Sequence, residues 1–261
     1  MTRPHSLARF GILVAVSALT AVTAAAAPPQ DMPSSTPHVV LIHGAWADGS
    51  SWSKVITRLA AQGLDVVAVQ LPLTSLADDV AAVQRAIARE PGPVLLVAHS
   101  YGGVVMTQAG NDPKVVGLVY VAAFAPKEGQ SAFQLANANP TPILQQVVLD
   151  SSGFLTITPA GIREAFAQDL TADEQTVLTA AQKPTAAEGS LSAPVTTPAW
   201  RTKPTWFAIA TEDRVVSPAL QAVEAAEMKA TTIEVHASHV AMLSQPDAVA
   251  ALICDAARGA H

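Results

Sequence analysis

Residues 93–103, P-V-L-L-V-A-H-S-Y-G-G, set Ser100 between an apolar run and a segment compatible with a helix. Val94 to Ala98 read as a strand buried on both faces, and residues 104–109 as the helix that follows. A small residue, any residue, serine, any residue and glycine, placed between strand and helix, is the pattern of a nucleophile elbow. So sharp a turn has no room for bulky side chains two positions either side of the serine. Gly102 meets that need, while Ala98 stands where glycine is usual and adds a Cβ. The elbow would lift the Ser100 hydroxyl clear of the sheet and aim a helix N-terminus at whatever the serine attacks.

A serine hydroxyl is a weak nucleophile that needs a base, and the base needs an orienting acid. Two later strand ends offer them: T-E-D-R-V-V-S-P after Thr205–Ala210, and S-H just beyond the apolar run 231–236. Open parallel sheets carry functional groups in such loops. Asp213 is the expected acid, with Glu212 its rival; His239 is the expected base, with His236 its rival. His99 is expected to point away across the elbow and His43 to tie loops together, both in structural roles. None of the seven histidines has metal-ligand spacing, so no metal is expected. A tetrahedral intermediate also needs donors for its oxyanion. The backbone N–H of Tyr101 and that of Ala45, in a loop that Gly44 lets turn closely, are the candidates. Trp46 and Trp52 flank this loop as expected wall or core residues.

The elements that position these residues alternate. Apolar runs at 38–42, 65–71, 94–98, 115–124, 205–210 and 231–236 are separated by helix-like segments at 52–62, 75–90, 104–111, 218–228 and 245–257. Ser75 with Asp78 makes a box-like helix start. This rhythm demands an α/β fold with a mostly parallel, doubly wound sheet covered by helices on both faces. Residues 38–124 and 204–261 form the expected core. Between them, residues 125–203 are rich in Pro, Thr, Gln and Ala, with helices expected at 159–169 and 171–182. An insertion there reads as a cap over the site.

Residues 1–26 carry Arg3, His5 and Arg9, then an uncharged apolar stretch, then alanines before Pro28. This is the order of a secretory leader with cleavage near Ala26, followed by a loose lead-in over 27–37. A secreted or periplasmic protein without stable membrane association is expected. Loss of Arg3 and Arg9 leaves 13 basic against 21 acidic side chains, a formal charge of −8. That balance argues against nucleic acid or anionic membranes as partners. The single cysteine, Cys254, excludes an internal disulfide and is expected to be a buried thiol in the last helix.

Taken together, H-G-A-W-A-D-G-S-S-W, L-P-L-T-S-L-A-D-D-V, A-H-S-Y-G-G, T-E-D-R-V-V-S-P and S-H-V-A-M-L-S-Q-P resemble the α/β-hydrolase superfamily. Within it they are most similar to bacterial esterase-like relatives of the plant methylesterase and hydroxynitrile lyase group. The resemblance covers residues 38–257 and implies an α/β-hydrolase fold, a helical cap and no cofactor. It carries over Ser100 as nucleophile, Asp213 as acid, His239 as base, and Ala45 with Tyr101 as oxyanion donors. The expected activity is hydrolysis of small-molecule carboxylic esters through an acyl-enzyme. Two alternatives are a lyase that cleaves a carbon–carbon bond and a small-molecule binding protein on the same scaffold. The lyases of this group place a lysine directly after the base histidine and a threonine in the first loop. Here those positions hold Val240 and Gly44. A binding protein would have no need of all three of Ser100, Asp213 and His239.

Overall fold

The structure, a computed structural model, describes Met1 and residues 36–260. The leader expected in residues 1–26, Met1 apart, and the lead-in up to residue 35 lie outside the described residues. The apolar runs become β1 (His38–Ile42), β2 (Val66–Val69), β3 (Val94–His99) and β4 (Val115–Val121). An insert then carries three short strands, β5 (Val147–Leu149), β6 (Phe154–Ile157) and β7 (Thr185–Ala186). The chain returns to the main sheet with β8 (Thr205–Ala210) and β9 (Thr231–Val235).

β1, β2, β3, β4, β8 and β9 form one parallel sheet in the order β2-β1-β3-β4-β8-β9. Every residue of β3 and β8 is buried, as strands covered on both faces must be. Full burial of a leucine such as Leu95 or Leu96 contributes about 2 kcal/mol each. The edge strands β2 and β9 are less covered, with Val67 exposed in β2 and Thr231, Thr232 and Glu234 in β9.

Around the sheet lie α1 (Ser53–Ala61), α2 (Leu76–Arg89), α3 (Gly102–Ala109), α4 (Ala132–Ala138), α5 (Pro159–Gly161), α6 (Ala172–Ala181), α7 (Pro218–Glu227), α8 (Ala241–Ser244) and α9 (Pro246–Gly259). α1 packs against α9, and α2 against α3. α2 begins where the sequence places its start: Ser75 Oγ accepts the Asp78 N–H at 3.0 Å. It buries Leu76, Val83 and Ile87, and with them one carboxylate, Asp79.

From β1 the chain steps outward to β2, then crosses back to β3 on the other side of β1. The loops leaving β1 and β3 therefore diverge, opening the crevice in which doubly wound sheets bind their ligands. The register pairs Ile42 with Ala98, which brings Gly44 opposite Ser100.

The insert differs most from expectation. Its antiparallel sheet, in the order β5-β6-β7, was not anticipated, because strands of two to four residues leave no apolar run. The helix expected over 159–169 is the short α5 followed by a π-helical turn, Ile162–Phe166. α6 matches the expected 171–182 closely and opens with a capping box between Thr171 and Glu174. None of its residues is buried.

Candidate active site

Ser100 occupies the turn between β3 and α3 with φ of 54°, a left-handed conformation that costs a non-glycine residue of order 1–3 kcal/mol. The surroundings over-determine it. Its N–H donates to the Val121 carbonyl, and its own carbonyl accepts from Gly103 and Phe124. Two glycines let the backbone close around it. A Cβ on Gly44 would stand 2.7 Å from Ser100 Cβ, and one on Gly102 would stand 2.6 Å from the His43 carbonyl oxygen. Ala98, the departure from the usual glycine, is accommodated with its side chain wholly buried in β3.

His43 ties the first loop, as expected. Its Nδ1 donates to the Gly44 carbonyl at 2.8 Å, and its Nε2 accepts the Leu71 N–H at 3.0 Å. Burial pushes its pKa down to about 4, so the ring is neutral at neutral pH. Tyr101 is anchored from its other end. Its hydroxyl donates to Asp79 Oδ2 at 2.8 Å, and Asp79 Oδ1 accepts the Leu73 N–H at 2.7 Å. Ser190, from the insert, also reaches Asp79 Oδ2, at 3.4 Å. Burial pushes the Asp79 carboxyl up, and burial with Asp79 alongside holds the Tyr101 hydroxyl far above its usual range.

Asp213 and His239 meet, as expected: Asp213 Oδ2 lies 2.8 Å from His239 Nδ1, with both side chains wholly buried. Asp213 Oδ1 accepts from the amides of Val215 and Val216, at 2.7 and 3.0 Å, and Oδ2 also accepts from Gln221 Nε2 at 2.8 Å. A carboxylate already accepting from three donors accepts from His239 too, which assigns the proton to Nδ1 and leaves a lone pair at Nε2. That Nε2 is buried and has no hydrogen-bond partner among the described residues. Ser100 makes no hydrogen bond to it; catalytic hydrogen bonds of this kind commonly tighten only around a bound substrate.

Gln221 was not singled out from the sequence. Besides Asp213 it donates to the Val216 carbonyl, and its Oε1 accepts the Ala210 N–H at 3.0 Å, locking the end of β8 to the acid loop. The available signal was a glutamine on the apolar face of α7, beside the buried Leu220 and Ala225.

His99, expected in a structural role facing away from the nucleophile, packs against His239. Its ring lies 4.5 Å, centroid to centroid, from that of His239, and its Nε2 donates to the His239 carbonyl at 2.9 Å. Burial, reinforced by His239, holds its pKa well below the usual value, so it supports the base loop as a neutral ring. The rivals lie outside the cluster: His236 and Glu212 face each other across 3.3 Å on the surface. Trp52 is core, and Trp46 is cavity wall.

A cavity of about 300 Å³ opens beside Ser100, walled by Ala45, Trp46 and Tyr101 from the core and by Phe133, Ile143 and Leu155 from the insert, among others. No lining side chain carries a charge. The Ala45 and Tyr101 amides, expected as oxyanion donors, make no hydrogen bond among the described residues. No group of three or more His, Cys, Asp or Glu among the described residues is placed to hold a metal ion. Chemically, the arrangement offers a strained serine, an oriented imidazole with one open nitrogen, and an apolar chamber.

The alpha/beta hydrolase family model matches residues 39–252. The probable hydrolase R7 of Phoma sp. is 24% identical over 246 residues, covering 85% of this chain and 98% of that protein. Polyneuridine aldehyde esterase superposes with a TM-score of 0.73 at 19% identity, over 84% of this chain and 98% of its own. A pyrethroid hydrolase from Sphingobium faniae JZ-2 superposes with a TM-score of 0.74 at 23% identity, over 85% and 97%. With a parallel sheet in this order, a serine at its switch point and a family match spanning the core, the chain belongs to the alpha/beta hydrolase family.

Proposed function

We propose that the protein is a serine esterase acting on uncharged small-molecule carboxylic esters with apolar acyl groups. The observation that carries this reading is the buried Asp213–His239 pair, whose imidazole packs on His99, the residue directly before the strained Ser100, and keeps Nε2 without a partner among the described residues. In the reaction, Ser100 Oγ attacks the ester carbonyl while His239 takes its proton and returns it to the departing alcohol. Asp213 holds the tautomer and stabilises the imidazolium. Water, activated by His239, then releases the acid from the acyl-enzyme. The Ala45 and Tyr101 amides receive the oxyanion, and losing one such donor typically costs about 10²–10³ in turnover.

The acyl preference follows from the wall. A carboxylate buried in a chamber without a cation would have no partner to offset its desolvation. Phe133, Leu144 and Leu149 line the chamber and are also among the exposed large apolar side chains, so the insert extends an apolar surface outward from it. This is how residues 125–203 serve as a cap. The leader read in residues 1–26 makes the enzyme an exported one, which N-terminal sequencing of the mature protein checks.

Hydrolysis of p-nitrophenyl esters tests the reading. p-Nitrophenyl hexanoate should be turned over, and the p-nitrophenyl monoester of adipic acid, of the same chain length with a terminal carboxylate, should be at least roughly a hundredfold poorer in kcat/KM. Ser100→Ala should reduce kcat by about 10⁶. Near-normal turnover in Ser100→Ala would remove the mechanism. Cyanide release from mandelonitrile should stay at the buffer rate, since Val240 and Gly44 offer neither charge nor hydroxyl to a departing cyanide.

A further inference from the structure

The cap segment that follows α5 touches the acid and base loops at a telling set of places. Glu164 accepts, through its carbonyl, a 2.7 Å bond from Arg214 Nη1, and Arg214 directly follows Asp213. Gln168 Nε2 donates at 2.7 Å to the carbonyl of Glu212, which directly precedes Asp213. Asp169 Oδ2 accepts at 2.8 Å from the N–H of Ser238, which directly precedes His239. Between these bonds, Phe166 packs edge-on against the His239 ring at 5.2 Å and against Trp46 at 6.3 Å. Trp46 in turn walls the cavity, and its Nε1 donates to the Leu155 carbonyl in β6 at 2.9 Å. The segment itself is a π-helical turn broken at Ala167, and such turns recur at functional sites.

We infer that residues 164–169 form a clamp that positions the acid and base loops, with Asp169 as a positioning residue acting through Ser238 on His239. The inference rests on the serine esterase reading. Neither loop is held by the clamp alone, since Glu212 also donates to the Ala237 carbonyl and Thr211 to that of Val235. What the clamp adds is a fixed position of these loops relative to the cap that lines the cavity. The imidazole position thus depends on the same cap that receives the acyl group. An error of about 1 Å at a catalytic group is worth on the order of a hundredfold in rate.

The test is steady-state hydrolysis of p-nitrophenyl butyrate by Asp169→Ala and Asp169→Asn, with the pH dependence of kcat recorded for each. The amide oxygen of asparagine can still accept the Ser238 N–H, whereas alanine removes the acceptor. Asp169→Ala should lose roughly tenfold in kcat with KM within about twofold. Asp169→Asn should keep kcat within about threefold and an unshifted pH midpoint. Gln168→Ala, which removes the bond to the Glu212 carbonyl, should lower kcat in the same sense and serves if Asp169→Ala fails to fold. Unchanged kcat in a folded Asp169→Ala, or in Gln168→Ala, overturns the clamp. So does an Asp169→Asn variant as impaired as the alanine one, which would assign the effect to charge. A wild-type protein that does not hydrolyse the ester, or a Ser100→Ala variant that does, would instead overturn the esterase reading.

Discussion

Asp213 faces the Val215 and Val216 amides, Gln221 and His239 Nδ1. Replacing it with asparagine presents an N–H₂ to groups that are all donors and favours the wrong imidazole tautomer. Asp213→Asn should therefore fold yet lose about 10⁴ in kcat, measured by steady-state hydrolysis. Glu212→Gln, on the exposed surface pair with His236, should leave kcat within about twofold. Gln221→Leu strips Asp213 of one donor and leaves the buried Ala210 N–H unpaired. That should cost about 1–3 kcal/mol of stability by denaturant titration. Ser100, Asp213 and His239 are legible because each sits just after an apolar run. Gln221 and Asp79 are not, since a buried polar residue within a helix carries no local mark of its partner.

Elements differ in how firmly they are held, and the sequence shows this unevenly. α2 and α9 bury apolar faces against the core, whereas α6 buries none of its residues. α6 is fixed instead by its capping box, by Gln175 bonding to the Ala167 and Leu170 carbonyls, and by a 2.6 Å ion pair from Glu174 to Lys54 on α1. Amides of α6 should exchange with deuterium before those of α2 and α9, as sparse apolar burial lowers the cost of local opening. Lys54→Met, which removes the tie to α1, should accelerate α6 further. Core strands and helices were readable because full burial writes long apolar runs and amphipathic periods. The cap strands were not, since β5, β6 and β7 pair with one another through two to four residues each.

Across the whole molecule, buried titrating groups set opposing pH dependences. His43 and His99 have depressed pKa values, so between pH 4 and 6.5 the unfolded chain binds more protons than the folded one, and stability rises with pH. Glu224, on α7, accepts the Ala125 N–H at 3.0 Å and is pushed up by burial to about 8. It stays protonated when folded, whereas the unfolded side chain ionises near 4.5, so its contribution falls with rising pH up to about 8. Asp79, also pushed up by burial, acts in the same sense as Glu224, and above pH 6.5 neither histidine opposes them. Thermal stability should decline between pH 6.5 and 8, with Glu224 contributing about 1.4 kcal/mol per pH unit. Glu224→Gln should flatten that alkaline decline in a melting series.

On the proposed mechanism, Ser100 is the group that forms the acyl-enzyme. A fluorophosphonate added to the protein forms a stable adduct only with a serine activated by a neighbouring base, and intact mass followed by peptide mapping locates it. One adduct per chain on the peptide containing Ser100, absent in Ser100→Ala and strongly slowed in Asp213→Asn, is the result this structure predicts. An adduct on another residue, or equal labelling of Ser100→Ala, would contradict it.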